Sequence, residues 1–290
     1  MRARVSQVKL AHMYTKSTTQ AAGYPPPLDR LLGLGALFTR GREWRDYGQM
    51  GIGPEHVPDL IRMACDSDLN EAFEDDPRVY APLHAWRALG QLGAPEAAGP
   101  LALLLVRLPE DDSANEELPE VLGMIGGDAA VGAAFGLLSN PVLKERTRIS
   151  AAGALEEIGK RHPELRDRCV ALLMGQLKRY AGQPEGLNSF LVHDLVELGA
   201  VEAAPLIQAA FEADCVDTLM RGDWEDVQVD MGLLPERITE PPRMNVLERM
   251  GITLPRTEPP IPARSALRAR RKDDKRRKAE KQARKRNRRK

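Results

Sequence analysis

Cysteine, aromatic side chains, long apolar runs and net charge are all scarce in this chain, and each scarcity excludes something. There are three cysteines in 290 residues, Cys65, Cys169 and Cys215, widely spaced and with no C-x-x-C pair. That rules out a disulfide framework or a cysteine-based metal site and fits small buried hydrophobes in a reducing interior. Only 4% of residues are aromatic, so a core must come from Leu, Ala, Ile, Val and Met, a composition that favours helices packed on helices. No stretch approaches the roughly 20 apolar residues that cross a bilayer; "LALLLV", from Leu101 to Val106, is too short. No membrane partner is therefore expected. The first 22 residues hold Arg2, Arg4, Lys9 and Lys16 and no acid. They faintly resemble a transit peptide but lack the apolar segment of a secretory signal, so a cytoplasmic protein is expected.

The missing net charge conceals a dipolar chain. Lys and Arg number 42, as do Asp and Glu. Residues 264–290 hold 16 Lys and Arg against Asp273, Asp274 and Glu280, a net of +13, which leaves −13 for positions 1–263. Body and tail are therefore read separately.

What the body has in quantity is repetition. The pattern Leu, two residues, Leu or Ile, then Gly occurs as "LGQLG", "LGMIG", "LEEIG" and "LVELG", ending at Gly93, Gly126, Gly159 and Gly199. A diverged copy near Gly53 precedes them. Leu83, Trp86, Leu89 and Leu92 mark one helical face, and a glycine after them can take the left-handed conformation that closes a helix. Ala97, Leu101, Leu104, Leu105 and Leu108 then mark a second helix, so each unit reads as an αα-hairpin. One hairpin leaves apolar surface uncovered, so the units must stack. Asn140-Pro141 and His162-Pro163 predict helix starts for segments 141–160 and 163–180. No strand signal competes.

These units resemble HEAT-like repeats, in particular the bacterial PBS-lyase HEAT-like type, over roughly residues 50–215. "AWRALGQLGAPEAAGPLALLL" and "LVELGAVEAAPLIQAAF" carry the resemblance best. It implies an all-α fold, an α-solenoid of stacked antiparallel helix pairs, and a scaffold role. Enzymatic members of the wider group act on tetrapyrroles, hydroxylate deoxyhypusine with paired His-Glu metal ligands, or excise DNA bases; no His-Glu dipeptide occurs here.

Candidate chemistry is thin. His12, His56, His84, His162 and His193 fall in different units, and His193-Asp194 is the one adjacent pair of His followed by acid. Neighbours on a helix diverge, so the pair reads as an ordinary helix position before it reads as a site. Trp86 reads as core; Trp224 either closes the end of the array or anchors a partner. The acidic stretches "NEAFEDDP" (with Glu74, Asp75 and Asp76) and "PEDDSANEELPE" (with Glu110, Asp111 and Asp112) read as loops between helices, either simply solvated or forming an acidic rim for a basic partner. No catalytic, cofactor-binding or metal-ligating residue is nominated.

Four segments follow: a basic arm and Pro-rich hinge at 1–27, the helical-repeat domain at 28–233, a Pro-rich linker at 234–263 and a disordered polybasic tail at 264–290. The linker contains "MNVLERMGITL", a helix turn that either caps the last repeat or docks a partner. The tail's cations are Arg270, Arg271, Lys272, Lys275, Arg276, Arg277, Lys278, Lys281, Arg284, Lys285, Arg286, Arg288, Arg289 and Lys290. With no aromatic among them they predict sequence-independent contact with RNA, DNA or ribosome. The expected function is a non-enzymatic protein-binding scaffold; the alternative is a HEAT-like enzyme or cofactor-binding protein with a site on the concave face.

Overall fold

The computed structural model describes residues 23–36, 44–73 and 75–240. The chain divides into two compact units, Met1–Glu240 and Pro241–Lys290, and every described residue belongs to the first. The basic arm, most of the linker, the tail and Glu74 lie outside the described residues.

Among those residues every regular element is helical: eleven α-helices joined by 3-10 turns. They are α1 (Val57–Ala64), α2 (Ser67–Asn70), α3 (Ala81–Gln91), α4 (Ala98–Arg107), α5 (Asp112–Ile125) and α6 (Gly127–Leu138). Then follow α7 (Glu145–Arg161), α8 (Arg166–Leu177), α9 (Glu185–Glu197), α10 (Ala204–Glu212) and α11 (Trp224–Asp230). Helices α3, α5, α7 and α9 pack in succession as one layer, and α1, α4, α6, α8 and α10 as a second. Each second-layer helix but the last also touches the first-layer helix that follows: α1 with α3, α4 with α5, α6 with α7, α8 with α9. Leu89, Leu122, Leu155 and Leu195, the first leucines of the four motifs, are fully buried. Each such leucine stabilises by about 1.5–3 kcal/mol.

The motif glycines divide into two kinds. Gly93, Gly126 and Gly199 take φ of 59°, 62° and 60°, the region that favours glycine, but Gly126 pairs it with an extended ψ of −160° where α5 passes directly into α6. Behind two of them the chain closes with a Schellman bond, Ala94 N–H to Leu89 O at 3.2 Å and Ala200 N–H to Leu195 O at 2.9 Å. Gly159 is different: it lies inside α7. A Cβ there would stand 2.7 Å from Leu198 Cδ2, so this glycine makes room for a neighbour, not a turn. Gly53 is extended, and the left-handed residue of that loop is Gly51, at φ 81°.

Other starts and ends also depart from expectation. The helix expected from Pro141 begins at Glu145, because Asn140 Oδ1 accepts the Val142 N–H at 3.1 Å and holds a turn there. Pro163 opens a 3-10 turn, and α8 follows from Arg166. Glu116, Glu117 and Glu120, expected in a loop, lie on α5 because Asp111 caps that helix early, accepting the Ala114 N–H at 2.7 Å. Residues expected in the linker are tied to α11: Arg237 donates to both Asp223 oxygens at 2.8 and 2.9 Å, and Glu225 accepts the Ile238 N–H at 2.7 Å.

A polar ladder joins the two layers. Asn115 Nδ2 donates to Pro109 O and Asp111 O, Arg148 Nε to Leu138 O, and Asn188 Nδ2 to Tyr180 O and Cys215 O, all at 2.7–3.1 Å. Each stands eleven residues ahead of its motif glycine, Gly126, Gly159 or Gly199. One position thus does one job in successive helices: its side chain donates to carbonyls at helix ends and in loops.

Candidate functional site

The densest set of ionisable groups lies where α7, α9 and the segment before α11 meet. On α9 the one-residue offset between His193 and Asp194 turns them apart, as expected. Asp194 points inward and is 3% exposed, and its Oδ2 meets no hydrogen-bond partner. Burial, reinforced by the nearby Glu156 charge, holds its carboxyl well above the usual carboxylate range. Glu156, itself buried on α7, is also raised by desolvation although Lys160 Nζ stands 2.5 Å away.

Lys160 reaches in turn to Glu197 Oε2 at 2.9 Å, and Glu197 pairs with Arg221. Hydrogen bonding from Lys160 keeps the Glu197 carboxyl below its ordinary value. Arg221 Nε donates to His193 Nδ1 at 2.8 Å, and Nη1 to Asp230 at 2.8 Å. That bond requires a neutral imidazole, in keeping with a His193 pKa lowered first by burial and then by Arg221. Charge in this cluster is therefore mostly spent inside it, with Arg221 tying α9 to the segment that leads into α11.

A second buried network joins α3 to α5 and to the segment before α1. Tyr47 O–H donates to His84 Nδ1 at 2.7 Å, and His84 Nε2–H donates to Gly35 O at 3.0 Å. The carbonyl fixes the tautomer, and burial lowers the His84 pKa, so the ring stays neutral. Arg87 pairs with Glu117, whose Oε2 also accepts Trp86 Nε1–H at 3.2 Å. Trp86 is 3% exposed, core as expected.

The residues expected to meet a partner are placed as follows. Asp75 is exposed, and Asp76 caps the 3-10 turn at Pro77–Tyr80 and pairs with Arg78. Glu110 pairs with Lys144 at 2.7 Å, Asp112 pairs with Arg146, and Asp111 is a helix cap. The acids before α5 thus reach across to the start of α7. Exposed pairs of this kind are worth about 0–1 kcal/mol, so they yield readily to a competing cation. Trp224 opens α11 half-buried, its ring 6.2 Å from that of Phe211, so it packs on α10.

Sequence reasoning missed the Asp194 burial and the ladder. It also missed Gly90 and Gly123, where a Cβ would meet Met124 Sδ at 3.2 Å and Glu157 Cβ at 2.6 Å. Their signal was present, a glycine three residues ahead of Gly93 and Gly126 in "LGQLG" and "LGMIG". Among the described residues no group of three or more His, Cys, Asp or Glu is placed to hold a metal ion, and no helix is long and apolar enough to cross a membrane. No family model, curated protein or solved structure matches the chain.

Proposed function

We propose that the chain is a HEAT-like scaffold, an α-solenoid of stacked antiparallel helix pairs that holds a protein partner, with a polybasic C-terminal segment that contacts nucleic acid or the ribosome. The observation that carries the reading is the repeated use of one position, Asn115, Arg148 and Asn188, at one interval from Gly126, Gly159 and Gly199. Repetition of that kind builds an extended surface of similar units, the architecture of interaction arrays. The charge asymmetry, −13 over positions 1–263 and +13 beyond, gives the second contact its chemistry: a dense cation run binds polyanions by releasing counterions, without reading bases.

An enzyme is the second reading, and the orphaned Asp194 oxygen is what favours it. The scaffold reading prevails because Asp194 is sealed from solvent while Lys160 and Arg221 are engaged by Glu156, Glu197 and Asp230. The test is capture from native lysate by the full-length chain and by a form ending at Ala263, at low and high salt. The scaffold reading expects both forms to retain the same protein. Nucleic acid should follow the full-length chain alone and be lost at high salt. Capture of neither, or equal capture of nucleic acid by both forms, contradicts it.

A further inference from the structure

The segment between α10 and α11 is held to α9 at two points of different chemistry. At the first, Asn188 Nδ2 donates to Cys215 O and Ser189 Oγ accepts the Asp217 N–H, both at 2.8 Å. Amide and hydroxyl groups keep their protonation state across the physiological range, so this anchor is indifferent to pH. At the second, Arg221 Nε donates to half-buried His193 Nδ1 at 2.8 Å, and its terminal amino groups reach Glu197 and Asp230. That anchor contains an imidazole, the side chain that titrates nearest neutrality.

A neutral imidazole has one nitrogen that donates and one that accepts. With Nδ1 taking the Arg221 Nε–H, the ring's own hydrogen sits on Nε2, and a second proton can enter only at Nδ1. That position faces a guanidinium, which never gives up its charge. Bond and proton therefore exclude each other, since protonation sets two donors and two positive charges against one another. The charged groups around the ring are Glu197 and buried Asp194 on α9, Lys160 and Glu156 on α7, Arg221, and Asp230 on α11. A charged imidazole would compete with Arg221 for Glu197, which Lys160 also engages at 2.9 Å. Burial first, and Arg221 second, lowers the His193 pKa and keeps the ring neutral while the bond stands.

We propose that His193 and Arg221 form an acid-released latch, in which a proton entering at His193 Nδ1 expels Arg221 and frees residues 218–223 from α9 while the anchor at 215–217 holds. Leu219 and Met220, both exposed, lie in the freed stretch, and the Arg221 link to Asp230 on α11 goes with it. The sign follows from the chemistry. A free imidazole titrates near pH 6.5, so the latch is closed above about that pH and gains up to about tenfold in opening for each pH unit below it. The device is independent of the scaffold reading and of the C-terminal segment.

The test is hydrogen–deuterium exchange of the full-length chain and its His193→Gln and Arg221→Gln variants across a pH series, with each rate normalised to the intrinsic rate at that pH. Gln at position 193 can accept the Arg221 N–H and takes up no proton there. The amides to follow are Gly222 N–H, bonded to Thr218 O at 2.9 Å, and Val227 N–H, bonded to Asp223 O at 3.2 Å. In the native chain their protection should fall about tenfold between about pH 7.5 and 5.5, with α3 and α5 unchanged. His193→Gln should hold its protection across the series, and Arg221→Gln should lack it even at the alkaline end. Asp194 and Glu156, whose pKa values are raised, also gain protons as pH falls, but they do so in the native chain and His193→Gln alike. Protection that is independent of pH in the native chain overturns the latch, as does an equal fall in His193→Gln, a fall shared by the whole chain, or unchanged protection in Arg221→Gln. If Arg221→Gln fails to fold, the native and His193→Gln profiles decide between themselves.

Discussion

Asp194 sets the direction of this protein's pH dependence. Burial raises the pKa of its carboxyl, and of the Glu156 carboxyl, in the folded chain, whereas the unfolded chain releases these protons near pH 4. Unfolding above that pH therefore liberates protons, so the stability these groups contribute is fully present below their unfolded values and falls as pH rises through the folded ones. Glu197 and Asp223, whose pKa values are lowered, act oppositely and lose their contribution only as pH falls below the ordinary carboxylate range. The urea midpoint should decline as pH rises above the ordinary carboxylate range. Asp194→Asn should flatten that decline and gain on the order of 1–3 kcal/mol at pH 8; an unchanged pH profile would show that Asp194 is solvated. At the same scale the positive-φ glycines differ. Gly93 has open space around a prospective Cβ, so Gly93→Ala should cost about 1–2 kcal/mol for the backbone alone. At Gly126 the same atom would lie 2.1 Å from His162 Nε2, which hydrogen-bonds Gly123 O at 2.9 Å. Gly126→Ala should therefore cost at least about 1 kcal/mol more, measured by denaturant unfolding of the pair.

Helix spacing turns on glycines whose role becomes visible once two helices are laid together. At Gly123 a Cβ would stand 2.6 Å from Glu157 Cβ and 3.1 Å from the Glu157 carbonyl carbon. Gly123→Ala should thus force α5 from α7 and cost about 1–3 kcal/mol. Gly132, in the middle of α6, has nothing within 4 Å of that atom; Gly132→Ala should stabilise by about 0.5–1 kcal/mol. Opposite signs in thermal melts of these two variants would separate packing from propensity. The contrast also shows where the sequence was legible. Leu spacing and the glycines after it gave the helix pairs, because apolar periodicity and left-handed closure are local properties. Gly159 was misread, since inside α7 its small size answers Leu198, a residue from the following unit. The acids before α5 were read as a loop although Asp111 stands at the cap position of an apolar-periodic run, a signal that sequence does carry. Asp194 gave no signal, because its burial depends on how α7 and α9 pack. The ladder was hidden by chemistry: Asn and Arg do the same work from one position, and no pattern of identical letters records it.

For the molecule as a whole, acidic body and basic C-terminal segment are equal and opposite in charge, so salt acts on the body and on binding in different ways. Exposed pairs such as Lys144 with Glu110 and Arg146 with Asp112 weaken modestly with salt. Polyanion binding by the 16 cations of residues 264–290 should weaken steeply. The most direct measurement is fluorescence-anisotropy titration of a mixed-sequence single-stranded RNA with the full-length chain and with the form ending at Ala263, across a salt series. The account predicts binding by the full-length chain alone. Its log affinity should fall linearly with log salt, with a slope of roughly −0.7 per phosphate neutralised, and shuffling the RNA sequence should change nothing. Equal affinity in the truncated form, or a salt-insensitive affinity, would contradict the division of labour between helical body and basic segment.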